Sequence, residues 1–171
     1  MKNKTRIEAL PHYRDNSVIE YYAGGDVSMQ SSLQEILDIL ALEGCRNSSV
    51  FCGQKALNLD QYEILCKRSN RDCTVDFVVG CSGNVLLMVE AKFRAQSMKK
   101  VASTLDDKIS HSHDILNSNN RHVQTHPTTV VLLSDNKDFE QNKNKLLRLF
   151  RNPRVIVPMR TCEFYTRVFA G

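Results

Sequence analysis

A chain of 171 residues, 42% hydrophobic and 25% charged, is long enough for one domain with a real core and needs no disulfides to hold it. No tract is apolar over a bilayer's width and residues 1–15 lack the apolar core of a secretory signal, so neither a membrane nor a secreted protein is expected. A net charge of +4 permits nucleic-acid binding without arguing for it, and six cysteines without a Cys-x-x-Cys pair speak against structural zinc and for reduced thiols.

In chain order, residues 1–30 are polar and irregular and read as an N-terminal arm or peripheral element, leaving 31–171 as a single domain. A helix is expected from Ser31 or Ser32, with Leu33, Ile36, Leu37 and Leu40 on one stripe and Gly44 as its stop. A short strand is expected at 50–52. Residues 62–68, 74–80 and 84–94 then read as three strands joined by turns. A helix over 97–119, a buried strand over 128–135, a helix over 139–150 and a strand over 154–159 complete the series. The order predicts an α/β fold of three layers, a mixed central sheet flanked by helices.

The stretch VDFVVGCSGNVLLMVEAKFR, 75–94, places ionisable groups where a core hairpin should be apolar. Alternation puts Val85, Leu87, Val89, Ala91 and Phe93 on one face, and Leu86, Met88, Glu90, Lys92 and Arg94 on the other. Asp76 on the preceding strand shares the charged face. A three-residue loop pairs either Gly80 with Asn84 or Cys81 with Val85, and Asp76 then lies diagonal to Glu90 or directly opposite it. Either register brings the two carboxylates within about 4.5 to 8 Å by Cβ spacing. Like charges that close call for a cation between them, and hard oxygen ligands suit Mg²⁺ or Mn²⁺. Lys92 projects beside such an ion, placed to hold a water or to offset charge on a phosphate.

Asp76, then Glu90-Ala91-Lys92 at the end of the next strand, then a helix, resembles the PD-(D/E)XK nuclease superfamily with its restriction-endonuclease-like core, α-β-β-β-α-β. The resemblance implies a metal-dependent nuclease that hydrolyses phosphodiester bonds, with Asp76 and Glu90 holding Mg²⁺ (or Mn²⁺). The Ala91 carbonyl would be a further ligand, and Lys92 would assist the attacking water. Glu35 and Gly44 in QEILDILALEG fit the pattern of the Holliday-junction-resolvase-like branch, which implies Glu35 as another metal ligand. Ser32-x-x-Glu35 also reads as a capping box, which gives Glu35 a purely structural role. Val75 stands where the family motif has proline, and the helix after the motif lacks the Gln and Tyr of the RecB-like branch.

Acid-x-Lys occurs three times, at Glu90, Asp106 and Asp135, and only Glu90 combines a strand position with an acid on the neighbouring strand. A structural salt bridge of Lys92 with either acid is the bland alternative. Arg94, Lys99 and Lys100 follow the motif and are candidate nucleic-acid contacts, and Lys145 and Arg148 form a weaker basic strip. His111 and His113 do not share a helix face, and Glu63 is an outside candidate near the site. The expected partner is nucleic acid, DNA ahead of RNA, with no membrane involved and a homodimer in keeping with the family. The expected location is intracellular, cytoplasmic or nuclear. The rival expectation is an inactive module of this fold that binds nucleic acid or a protein partner.

Overall fold

The computed structural model of the protein describes residues 9–46, 48–66, 73–94, 97–119 and 121–170. Seven strands form one mixed sheet: β1 (Leu33–Glu35), β2 (Lys55–Asn58), β3 (Phe77–Cys81), β4 (Val85–Lys92), β5 (Gln124–Thr125), β6 (Thr129–Leu133) and β7 (Ile156–Met159). Their order across the sheet is β1-β2-β3-β4-β6-β7, with β5 beside the start of β4. Pairing is antiparallel from β1 to β4 and parallel from β4 to β7. The helices are α1 (Ser17–Ala23), α2 (Val27–Gln30), α3 (Ile36–Leu42), α4 (Leu59–Leu65), α5 (Met98–Ser118), α6 (Phe139–Leu149) and α7 (Thr161–Phe164), the last running into a π-helical turn at Tyr165–Phe169.

Two apolar clusters sandwich this sheet and make the fold three-layered. On one side Leu86, Met88 and Val131 pack under Val101, Leu105 and Ile109 of α5 and Phe139 and Leu146 of α6. On the other, Leu87, Val89 and Leu132 pack under Ile36, Ile39 and Leu40 of α3 and Phe164 and Val168 of the C-terminal turns. Strand β4 is therefore buried on both faces. The face that carries Glu90 and Lys92 is covered by helix α5 and not turned to water. Leaving aside α4 and the two-residue β5, the order from α3 to β6 is α-β-β-β-α-β, as expected.

Four local expectations need correction. Residues 17–30 are not an irregular arm: α1 and α2 bury Ile19, Tyr22, Ala23 and Met29 in the core. Helix α1 crosses β3 so closely at Gly80 that a Cβ there would meet the Ile19 backbone nitrogen at 2.6 Å. The helix expected from Ser31 or Ser32 begins only at Ile36, because residues 33–35 pair antiparallel with β2 as a strand. The strand expected at 50–52 is a 3₁₀ turn at Ser48–Val50, and the strand forms instead at Lys55–Asn58. The segment from 62 is helical up to Leu65, and 67–68 lie outside the described residues. There Asn58 caps the Gln61 amide at 3.0 Å, and Leu59, Tyr62 and Glu63 are buried at helical spacing.

Candidate functional site

The hairpin adopts the register Cys81↔Val85, so Phe77 faces Val89 and Asp76, one residue before β3, comes level with Glu90. Three hydrogen bonds fix this corner. The Ala91 amide donates to Asp76 Oδ2 at 2.6 Å, and the Leu59 amide of α4 donates to the Asp76 carbonyl at 3.3 Å. The Val75 amide donates to Ser112 Oγ of α5 at 2.9 Å. One backbone amide thus holds the carboxylate itself, and α4 and α5 pin the backbone on either side of it, in a residue that is 8% exposed.

Carboxylate oxygens of Glu43, Asp60 and Asp76 lie within 4.8 Å of one another. Glu43 is the C-cap of α3, and Asp60 sits in the first turn of α4. Burial, with the neighbouring charges adding to it, moves all three upward. Asp76 is pushed up to about 8, first by burial and then by Glu90 beside it. Burial raises Glu43 to about 7, with the Asp76 charge adding to it, and Asp60 is raised by the same two causes. Such a set of hard oxygen donors fits Mg²⁺ or Mn²⁺, whose charge would relieve the repulsion.

Glu90 is fully buried on β4 and meets two lysines. Lys108 Nζ of α5 lies 2.9 Å from Glu90 Oε2, and Lys92 Nζ lies 3.9 Å from the same oxygen. Burial alone would lower the Lys108 pKa, but Glu90 outweighs it and holds the ammonium well above its usual range. Lys92 is the more exposed of the two and lines a cavity of about 240 Å³ together with Glu43, Ala91, Arg94 and Lys100. The buried carboxylate is therefore held from inside by Lys108, and Lys92 reaches the opening.

The structure brings together Asp76, Glu90, Ala91 and Lys92, with Arg94 and Lys100 on the cavity wall. Lys99 is exposed and lines neither this cavity nor the next. Glu35 is not part of the carboxylate group. It is the last residue of β1, Cα-paired with Lys55, and makes no capping hydrogen bond, so the capping box is also absent. The seven residues of α3, about 10 Å of helix, separate it from Glu43, and α3 delivers its acid from the opposite end. Glu63 is buried inside α4, His111 contacts the Cys73 carbonyl at 3.3 Å, and Lys145 and Arg148 are exposed on α6.

Sequence reading missed Glu43, Asp60 and Lys108. The signal for Lys108 was present: it stands seven residues after Val101 and three after Leu105, on the buried stripe of its helix. Asp60 became legible only once α4 was seen as a helix. Comparison of the chain with protein-family models, with curated proteins and with solved structures returns no match. Among the described residues no helix is long and apolar enough to cross a membrane.

Proposed function

We propose that the protein is a metal-dependent nuclease of the PD-(D/E)XK type that hydrolyses phosphodiester bonds, with DNA as the expected substrate. The observation that carries this reading is the convergence of Asp76 with Glu43 and Asp60 within 4.8 Å, beside Glu90, with Glu43 on the wall of the cavity that Lys92 also lines. Asp76, with Glu43 in the place expected of Glu35, Asp60 within 4.8 Å of both and Glu90 beside it, would hold Mg²⁺ or Mn²⁺. The Ala91 carbonyl remains the backbone ligand that the family pattern implies.

The bound ion supplies Lewis-acid charge and a water of lowered pKa. The chain's own groups do the rest. Lys92 sets a positive charge where phosphate oxygens gain negative charge, and Arg94 and Lys100 hold the flanking phosphates. Lys108, 2.9 Å from Glu90 Oε2, fixes that carboxylate in its buried position. In the net reaction a bond forms from water oxygen to phosphorus, and the ester P–O bond breaks. The proton given up by water ends on the departing hydroxyl. Cleavage assays on single-stranded, duplex and branched DNA and on RNA, with Mg²⁺ or Mn²⁺, test the proposal. Activity unchanged by Asp76→Ala and Lys92→Ala would sink it.

One observation favours a second reading, an inactive module of the same fold that binds nucleic acid or a protein. Glu90 already has an internal cation at 2.9 Å, so its charge is balanced without a metal. Titration calorimetry with Mn²⁺ separates the two. The nuclease binds the ion in a manner that depends on Asp76; the inactive module does not.

A further inference from the structure

A second cavity, of about 730 Å³, opens beyond the carboxyl ends of β4 and β6, where parallel sheets form ligand crevices. Its volume falls in the range of roughly 300–1,000 Å³ that encloses small ligands. One wall is the segment after α3, Gly44 to Arg46; the other is the start of α7, Thr161 and Cys162. Ser134, whose hydroxyl donates to the Phe93 carbonyl, and Asn136, whose Oδ1 accepts from the Asp138 amide and whose amide nitrogen adds a donor, also line it. The two cavities share Phe93 and Arg94, so they adjoin at the end of β4.

Arg94 lies on the ridge between them, and Gly44 makes room for it. A Cβ at Gly44 would meet Arg94 Nε at 2.6 Å, and Gly44 has φ +91°, which favours glycine in any case. From the ridge Arg94 serves the phosphate-facing cavity, and Arg46 adds a second cation further along. The acid on this wall, Asp135, is engaged by Arg160 at 2.8 Å. Half-buried Phe93 offers an aromatic surface between the two spaces.

We propose that the second cavity holds the nucleotide adjacent to the cleaved phosphate, so that the substrate is a single polynucleotide strand or strand end, not an intact duplex. The inference rests on the phosphodiester reading above. Its physical reason is enclosure: a base must leave its stack to enter a space walled on two sides. Cations for phosphate, polar edges for the base and an aromatic face are what single-strand sites combine.

Fluorescence anisotropy in EDTA, with labelled single-stranded DNA, single-stranded RNA and a blunt duplex, gives the first test. At least one single strand should bind about tenfold tighter than the duplex, and Arg46→Glu and Cys162→Trp should each erase most of that gain. Labelling of the unaltered chain avoids any question of folding. Saturating strand should slow iodoacetamide alkylation of Cys162, read by peptide mass spectrometry. Exposed Cys52, which lines neither cavity, should react at its usual rate. Equal affinity for duplex, or no protection of Cys162, overturns the proposal. Asp76-dependent cleavage without that protection leaves the nuclease reading standing and removes only this one. Protection without cleavage under any metal does the reverse.

Discussion

Two ionic clusters stand at the same end of the sheet, and both join carboxylates to basic side chains. One joins Glu90 to Lys108 and Lys92, with Asp76 beside it. The other gathers Asp135, Glu140 and Glu163 around Arg160, at 2.8, 3.7 and 3.2 Å, with the guanidinium 3.9 Å over the Phe139 ring. The second is as well connected as the first, yet its acids are 38–66% exposed and water competes for every contact. In the first, Glu90 has no exposure at all, so each charge must be answered by a neighbour or by an ion. Burial, not the number of partners, separates a site with chemical leverage from a surface network.

Removing charge from the buried cluster should have the largest effect. Asp76→Ala is expected to bring metal-dependent cleavage to background, and Lys92→Ala to lower kcat by about 10²–10³-fold, measured under single-turnover conditions. Urea denaturation monitored by circular dichroism should show Lys108→Met destabilised by about 3 kcal/mol, because it leaves Glu90 buried with only Lys92, at 3.9 Å, to answer its charge. Adding Glu90→Gln to that variant should recover much of the loss. If the single variant behaves like a surface substitution, the contrast between the clusters fails.

A pH series sharpens the same contrast. Folded Asp76 has a pKa of about 8 against an ordinary 3.8, so between those values it keeps a proton that the unfolded chain has released. Its contribution to stability is therefore full below about pH 4, declines as pH rises and levels off above about 8. Glu43, raised to about 7 from 4.5, acts in the same direction. The metal-free urea midpoint should fall from pH 5 to pH 9; Asp76→Asn should flatten the slope, and saturating Mn²⁺ should do the same. The smallest effect belongs to the exposed cluster. Glu140→Gln, which touches one 3.7 Å contact, should leave the midpoint unchanged within error at every pH.

The hairpin was legible because both its strands alternate and its loop is short, and those two features restrict the register to two choices. The long helix α5 was legible for the same kind of reason: Met98, Val101, Leu105, Ile109 and Leu116 repeat at helical spacing. The 62–66 segment misled because Tyr62, Ile64 and Cys66 also fit a strand's period of two. The Asn58 cap decided for helix, leaving Ile64 exposed. Glu35 misled because the helix that should have carried it lost its first turn to pairing with β2.

By itself the sequence determined the layered α/β class and the shared face of Asp76, Glu90 and Lys92, since period and alternation are local properties of the chain. Tertiary structure alone decided that α5 covers this face, that Lys108 answers Glu90, and that Glu43 and Asp60 meet Asp76. Those contacts join residues 16 to 33 positions apart across different elements. No local pattern encodes such a meeting; it depends on how the helices dock on the sheet.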